Sequence, residues 1–301
     1  MTDQIPKNED SLRGFGFALS AYFLWGLMPI YMKALAHVPP AEVIAHRVLW
    51  SVPIAGALLI ILRRTADLAA AIRNPRMLAM AAVTATIISI NWGIYVWAIG
   101  AGHVIDAALG YYINPLFSVL LGAVLLRERL SRAQWLAIGL AALAVALLTY
   151  EAGRLPVVAL ALTLSWGAYA FFKKRLPIGP NQGFMLEVLL LTPIALAYVL
   201  WLGLRSEGHF LNGVSFDNWM LVGCGMVTAV PLILYANGAK LLKLSTIAIM
   251  QYTAPTMIFL TAVFVFNEPF DGARLIAFPM IWLALVIYTG AMIYQAKRAG
   301  R

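Results

Sequence analysis

The sequence predicts an all-α integral membrane protein in which ten transmembrane helices form two inverted five-helix repeats. Three observations support this fold class. The composition is strongly apolar, the chain contains a series of apolar runs that are each long enough to cross a bilayer, and the second half of the chain resembles the first.

The composition indicates lipid rather than water as the main solvent. Of the 301 residues, 62% are hydrophobic and 12% are charged, whereas a soluble domain is about 45 to 50% apolar and about 25% charged. The mean hydropathy is +0.83. The net charge of +9 comes from basic residues between apolar runs, so orientation in the bilayer explains it better than a nucleic-acid partner does.

Ten apolar runs lie along the chain, each close to the roughly 20 residues that cross about 30 Å of hydrocarbon. The first five are residues 12–35, 40–62, 77–100, 106–126 and 133–150. The second five are residues 155–172, 182–204, 218–239, 245–266 and 272–296. The first run has basic residues before it, as a signal peptide would, but it is too long and has a counterpart in the second half. We therefore count it as a span.

The distribution of basic residues predicts the orientation. With the N-terminus in the cytoplasm, most of the 22 lysines and arginines fall on the inside, and the four at outside ends are Lys33, Arg154, Arg205 and Arg274. An excess of Lys and Arg on the cytoplasmic side is typical of membrane proteins. We predict that both termini are cytoplasmic, with short tails at 1–11 and 297–301.

The two halves of the chain align when one is shifted by about 140 positions. We assign the first repeat to residues 12–150 and the second to 151–296. Because five crossings are an odd number, the second repeat must enter the membrane from the opposite side, as in many secondary transporters. The aligned pairs include Trp25 with Trp166, Pro53 with Pro193, Tyr95 with Tyr235, Tyr112 with Tyr252, Pro115 with Pro255 and Glu128 with Glu268.

Amide and aromatic residues gather around the matched prolines Pro115 and Pro255, which we expect near the middles of spans four and nine. A mid-helix proline frees a backbone carbonyl, which either lines a wet cavity or is satisfied by a neighbouring helix. Asn and Gln at membrane depth are costly unless they are paired. The predicted cavity residues are Asn91, Tyr95, Tyr111, Tyr112, Asn114, Tyr235, Asn237, Gln251 and Tyr252.

Three further residues have alternative interpretations. Trp25 and Trp166 either line the cavity or fill space beside the glycines that follow them. Arg47 is expected roughly 10 Å inside span two, at 1.5 Å per residue. It either binds a substrate carboxylate, reaches the interface or takes part in a structural ion pair, and the last two readings also apply to its repeat counterpart Glu187. The neighbouring His46 is expected to be structural.

No catalytic signature occurs in the sequence. It contains no HExxH, CxxC, Walker or G-x-S-x-G motif, so we expect neither an enzyme nor a bound cofactor or metal. The single cysteine, Cys224, lies in an apolar run and cannot form an intrachain disulfide. Because the sequence contains no Walker motif for ATP hydrolysis, transport would be facilitative or driven by an ion gradient.

Several short stretches carry a family resemblance. The most specific are residues 23–26, His46-Arg47, 91–98, 109–116, 127–129 and 251–256. They resemble the RarD branch of the EamA-type drug/metabolite transporter superfamily, to which bacterial aromatic amino acid exporters also belong. The resemblance covers essentially all ten spans. It implies a basket of ten helices, cytoplasmic termini, a central cavity shared by the two halves, and export of amino acids or similar metabolites.

We therefore expect a transporter that exports amino acids and related small metabolites across the bacterial inner membrane by alternating access. A drug or nucleotide-sugar carrier is the alternative within the same class, and a channel-like permeation protein is the alternative from another class. The expected partners are a small-molecule substrate and the lipid bilayer, with no nucleic acid. The sequence leaves the oligomeric state open and is compatible with a monomer.

Overall fold

The computed structural model describes residues 11–125, 130–212, 214–239, 241–242 and 250–299. All regular secondary structure in these ranges is helical, which confirms the predicted all-α class. The first six helices are α1 (Leu12–Ala34), α2 (Pro40–Ile61), α3 (Thr65–Ile72), α4 (Pro75–Gly100), α5 (Val104–Leu125) and α6 (Arg132–Ala152). The others are α7 (Val157–Arg175), α8 (Pro180–Leu204), α9 (Ser215–Ala239), α10 (Thr253–Leu260) and α11 (Arg274–Ala299).

Three of the sequence-based predictions concern residues outside the described ranges. These are the motif at 127–129, the start of span nine at 245–249, and the tail residues 1–10 and 300–301. The repeat match of Glu128 with Glu268 belongs with the first of them.

Seven of the described helices are long and apolar enough to cross a membrane. They are α1, α2, α4 and α6 together with the segments Asn181–Leu204 of α8, Ser215–Tyr235 of α9 and Arg274–Tyr294 of α11. Two shorter apolar helical segments, Val157–Lys173 and Thr253–Val265, lie within predicted spans six and nine. The chain is therefore a multi-span helical membrane protein, and the count of ten crossings stays a prediction.

Local sequence signals begin and end several of these helices. Asn74 accepts hydrogen bonds from the backbone N–H groups of Arg76 and Met77 and so caps the N-terminus of α4. Ser131 and Gln134 form a capping box at the start of α6. Gly153 ends α6 in the left-handed region at φ 62°, where glycine carries no steric penalty.

The short helix α3 lies between predicted spans two and three, where the apolar-run pattern predicts no helix. Its eight residues are too few to cross a membrane, so a search for apolar runs of span length passes over it. Ala71 and Leu68 of α3 nevertheless pack into a cluster that includes Leu176 and Leu186. The helix is therefore anchored by burial of its apolar side chains.

The chain divides into two compact units, and each takes helices from both halves of the sequence. The first unit comprises Met28–Gly110 and Val157–Val230. Within it α2 packs against α8, and α4 packs against α7 and α8. The second unit comprises Met1–Leu27, Tyr111–Pro156 and Pro231–Arg301, and within it α6 packs along α11.

Glycines bring helices into close contact in both units. In the first unit, a Cβ on Gly225 of α9 would overlap the backbone carbonyl of Trp50 in α2. In the second unit, a Cβ on Gly26 of α1 would lie 2.6 Å from the Cβ of Met257 in α10. Small residues at such crossings allow the backbone-to-backbone approach that replaces hydrophobic driving force inside lipid.

Pro255 does not lie in the middle of a helix, as the position of the apolar run predicts. The helix α10 begins at Thr253, so Pro255 lies in its first turn. A proline there removes an N–H that has no helical acceptor in any case. Pro115, by contrast, lies inside α5 as predicted. A π-helical turn, Thr261–Val265, follows α10 directly.

Gly225→Ala is expected to destabilise the protein, because the added methyl group must push α9 away from the backbone of Trp50. We expect the apparent melting temperature in detergent to fall by roughly 5 °C, the scale of a modest overpacking penalty. Gly139→Ala in α6 is the matched control, because a Cβ there meets nothing within 4 Å. Equal losses in the two variants would contradict the prediction.

Candidate functional site

The predicted site residues divide between the two compact units. Four of them, Arg47, Asn91, Tyr95 and Trp166, belong to the first unit. The other eight belong to the second unit and are Trp25, Tyr111, Tyr112, Asn114, Tyr235, Asn237, Gln251 and Tyr252. The two groups are described separately below.

Arg47 is a buried cation that connects three helices of the first unit. Its side chain comes from the second turn of α2, and the residue is only 3% exposed. Its Nε donates a hydrogen bond to Thr228 Oγ1 of α9 at 3.0 Å, and its guanidinium lies 4.5 Å from the ring centre of Trp92 in α4. A desolvated cation–π contact is worth about 2 kcal/mol. Arg47 is therefore held in the interior of the unit and does not extend to a surface.

Asn91 links α4 to α7 through one side of its amide group. It is 1% exposed, and its Nδ2 donates to the carbonyl of Leu162 at 3.2 Å and to Ser165 Oγ at 2.9 Å. Its Oδ1 is buried and has no hydrogen-bond partner among the described residues. A buried amide oxygen without a donor is costly. Asn91 therefore presents an open acceptor inside the first unit.

Tyr95 and Trp166 complete the first group. Tyr95 lies one turn after Asn91 on the same face of α4 and is buried. The ring of Trp166 in α7 lies 5.8 Å from that of Tyr169 in a tilted arrangement. Trp166 therefore contacts an aromatic neighbour on its own helix, as a space-filling residue would.

Glu187 and His46, which the sequence reading treated with Arg47, have structural partners in the first unit. Glu187 Oε1 forms an ion pair with Lys173 Nζ at 2.6 Å, and its Oε2 accepts a hydrogen bond from Tyr169 at 3.2 Å. His46 Nδ1 accepts a hydrogen bond from Trp50 Nε1 at 3.1 Å. The ion-pair reading therefore fits Glu187, with Lys173 as the cation.

An aromatic cluster occupies the second unit around Trp25. Its ring lies 5.6 Å from the rings of both Tyr22 and Tyr235, which are 5.9 Å apart from each other. Ala18, Met250 and Ala254 pack against the same cluster. Centroid separations of this size are those of rings in direct contact. Trp25 and Tyr235 are thus brought together by the fold, and they pack as a cluster.

Tyr112 of α5 starts a chain of hydrogen bonds that reaches the break before α10. Its Oη lies 2.8 Å from Thr256 Oγ1, and Thr256 donates to the carbonyl of Tyr252 at 2.7 Å. A threonine hydroxyl has one hydrogen, so Tyr112 is the donor to Thr256. The Tyr112 ring packs against Phe278 and Trp282 of α11. Tyr112 therefore ties α5 to α10 and α11.

The remaining amides differ in what they offer a ligand. Asn114 is buried, and its Oδ1 has no partner among the described residues. Asn237 donates to the carbonyl of Ile233 in its own helix, at 2.8 Å. Gln251 and Tyr252 form the turn before α10, and both are partly buried. Tyr111 is half-buried on α5.

Three residues that complete these contacts were not among the predicted site residues. Tyr22 stands three positions before Trp25, so helical spacing alone puts the two on one face. Thr256 lies next to Pro255, inside the motif at 251–256. Thr228, the partner of Arg47, is one hydroxyl in an otherwise apolar run, and no sequence spacing connects it to Arg47.

Comparison with known proteins identifies the class. The chain matches the EamA-like transporter family model over residues 12–150 and again over residues 155–290. An uncharacterized transporter of Vibrio cholerae is 40% identical over 98% of this chain and 99% of its own length. Protein RarD of Streptomyces exfoliatus is 39% identical over 97% and 93% of the two chains, and Protein RarD of Escherichia coli is 36% identical over 96% and 98%. A solved crystal structure with 21% identity covers 96% of this chain and 99% of its own, with a TM-score of 0.60, and so shares its fold.

The fold and these relatives define a multi-span membrane transporter, and they indicate a transporter rather than an enzyme. The chain belongs to the EamA-like transporter family and, within the drug/metabolite transporter superfamily, to the RarD branch. Membership implies a small-molecule substrate and a lipid environment. The apolar helices and bacterial relatives are consistent with the inner membrane.

Tyr112→Phe tests the hydrogen bond between Tyr112 and Thr256. The ring packing remains and only the hydroxyl is lost, so we expect a destabilisation of about 1 kcal/mol. Tyr112→Ala should cost about 3 to 5 kcal/mol, because the contacts with Phe278 and Trp282 are lost as well. Denaturation of the purified protein measures both. In a Thr256→Ala background, Tyr112→Phe should cost less than it does in the wild type, and full additivity would contradict the assigned bond.

Proposed function

We propose that this protein is a secondary or facilitative transporter that exports amino acids and related small metabolites across the bacterial inner membrane. In this proposal the chain crosses the membrane ten times as two inverted five-helix repeats, with both termini in the cytoplasm. The family model matches two successive segments of similar length, which supports a repeat. The alignment of the two halves and the distribution of basic residues support its inverted topology.

The observation that carries the substrate class is the half-satisfied amide of Asn91. Its nitrogen is committed to α7, while its oxygen is buried and lacks a donor among the described residues. A substrate ammonium or amide group would supply that donor, and a site that hydrogen-bonds its substrate rejects analogues lacking the group. Asn114 offers a second buried acceptor of the same kind in the other unit.

Alternating access supplies the mechanism. Two similar repeats of opposite orientation have two equivalent asymmetric arrangements, each open to one side, so no separate gate machinery is required. Arg47 contributes fixed positive charge in the interior of the first unit, where it would attract a substrate carboxylate. An amino acid carries both an ammonium and a carboxylate group and so suits both features.

A drug carrier is the second candidate. A relative from Pseudomonas aeruginosa that is 31% identical bears the name chloramphenicol-sensitive protein RarD. The contacting rings of Tyr22, Trp25 and Tyr235 form an aromatic cluster, and aromatic rings stack favourably on flat drug molecules. Competition in the flux assay below separates this candidate from amino acid export.

Liposomes that contain the purified protein are expected to release preloaded threonine, methionine or an aromatic amino acid faster than liposomes without protein do. The flux should saturate and should rise when unlabelled substrate is added on the far side. Inhibition by chloramphenicol or nucleotide sugars, with no inhibition by amino acids, would favour the alternative carriers. Unsaturable flux would indicate a channel, and no flux across a broad amino acid panel would overturn the proposal.

Two variants of the first unit serve as the matched pair in that assay. Asn91→Leu removes the open acceptor and is expected to lower kcat/KM by about tenfold. Ser165→Ala removes only one partner of the Asn91 nitrogen and leaves the acceptor in place. It should keep kcat/KM within about twofold of the wild type. Equal effects of the two variants on kcat/KM would show that Asn91 is structural and would contradict its role in substrate binding.

Reporter fusions test the topology independently of any substrate. A fluorescent protein that folds only in the cytoplasm should be active at both termini, and a periplasmic phosphatase should be inactive at both. The reason is that an even number of crossings returns the chain to the side on which it began. Termini on opposite sides of the membrane would contradict the proposed repeat.

A further inference from the structure

Two buried carboxylates lie at one end of the first unit, where α1 and α8 end and α2 and α9 begin. Glu42, in the first turn of α2, is 1% exposed, and Asp217, in the first turn of α9, is 3% exposed. Each contacts a partly exposed histidine, and these histidines are His209 and His37. Ionised groups this far from water need partners.

Glu42 holds the connection between α8 and α9 against the start of α2. Its Oε1 accepts hydrogen bonds from the backbone N–H of His209 at 2.7 Å and of Phe210 at 3.3 Å. Its Oε2 lies 2.9 Å from His209 Nδ1. A carboxylate in the first turn of a helix is also favoured by the helix dipole. One side chain therefore fixes two backbone amides and one imidazole of a connection that is 167 residues away in sequence.

A second histidine–carboxylate pair lies beside the first. His37 Nε2, just after α1, is 3.1 Å from Asp217 Oδ1. The rings of His37 and His209 are 5.8 Å apart and meet edge to face. We refer to His37, Glu42, His209 and Asp217 as the histidine latch. Within the described ranges no three of the histidine, cysteine, aspartate and glutamate side chains are placed to hold a metal ion, so the latch is assigned no metal.

The opposite end of the same helix pair is held by a side-chain contact that contains no histidine. Gln182, in the first turn of α8, takes the place of Glu42 when the two halves are aligned with a shift of about 140 positions. Its Nε2 donates to Asp67 Oδ2 of α3 at 3.1 Å, and Asp67 lies in the connection that follows α2. Each helix thus holds the connection after its partner, but only the end with Glu42 contains histidine.

We propose that the histidine latch is a proton-binding site that makes the grip on the α8–α9 connection depend on pH. Imidazole gains and loses its proton in the physiological pH range. When protonated, it makes a charge-assisted bond to the carboxylate, which is roughly twice as strong as a neutral one. The latch is therefore tighter with a protonated imidazole than with a neutral one, and deprotonation releases the proton to solvent.

This inference rests on the proposed transport function for its physiological meaning. With the N-terminus in the cytoplasm, α1 ends on the outside, so the histidine latch senses external protons. Because Gln182 is neutral, external and internal pH would not act symmetrically on the transport cycle.

Other titratable or charged groups on the elements that meet at this end contribute to the local field. Arg205 and Glu207 form an exposed pair at 3.8 Å, and His103 pairs with Asp106 at 3.3 Å where α5 begins. Neither pair hydrogen-bonds the α8–α9 backbone at His209 or Phe210 in the described structure. Further groups on these elements are Tyr31 and Lys33 of α1, His46 and Arg47 of α2, Tyr198 of α8 and Cys224 of α9.

Hydrogen exchange at the amides of His209 and Phe210 reads the latch directly, because both amides donate to Glu42. Exchange is measured on the wild-type protein from pH 5.5 to 8.0 and divided by the intrinsic chemical rate at each pH. We expect protection of this segment to be about fivefold higher at pH 5.5 than at pH 8.0. The amides of Arg63 and Arg64 after α2 donate to helix carbonyls and should show constant protection.

Histidine variants identify the proton-binding group. His209→Gln should abolish the pH dependence at the α8–α9 connection, and His37→Gln should reduce it. His103→Gln is the matched control, since that histidine also pairs with a carboxylate but lies outside the latch, and it should leave the profile unchanged. A flat wild-type profile, or a profile that His103→Gln alters as much as His209→Gln, would overturn the proposal. None of these readouts requires transport, so failure of the flux assay would leave this result intact.

Discussion

Hydrocarbon offers no hydrogen-bond partner, and this single constraint shapes most of what is seen in the protein. Every backbone polar group inside the bilayer must be satisfied by the chain itself, which is why the described regular structure is helical throughout. Where a helix is interrupted, side chains or altered helical turns supply the hydrogen bonds that the backbone groups need. Thr256 donates to the carbonyl of Tyr252 at the start of α10, and a π-helical turn continues the chain after Leu260.

The same solvent removes the usual reason for helices to associate. Lipid is as apolar as a protein core, so close packing and interhelical hydrogen bonds must hold the helices together. Glycine at position 225 lets α9 approach the backbone of α2, and Gly110 similarly meets the backbone of Ala159. The hydroxyl of Thr163 then bonds to the carbonyl of Gly110 across that contact, at 2.9 Å.

Buried polar side chains therefore serve two purposes in this protein. The Asn91 amide nitrogen and the Arg47 guanidinium connect helices, which is the structural use of a costly group. The Asn91 oxygen is left over from that arrangement, and it is this remainder that recommends the residue for substrate recognition. Asn237, whose amide nitrogen bonds within its own helix, has less to offer a substrate. At the end of the unit, the carboxylates of the histidine latch likewise connect structural elements, and we propose that its histidines also bind a proton.

The sequence by itself determined the helical class, the approximate helix positions and the family, because hydropathy, span length and motifs are properties of contiguous residues. It also singled out Tyr112, Asn91 and Trp25, since amides and aromatics in apolar runs stand out locally. Only the tertiary structure decided their partners. Arg47 meets Thr228 and Glu42 meets His209 across more than a hundred residues, and no local pattern encodes such a pairing. The beginning of α10 just before Pro255 and the helix α3 were likewise decided by packing, because a short apolar segment satisfies several backbone arrangements until its neighbours select one.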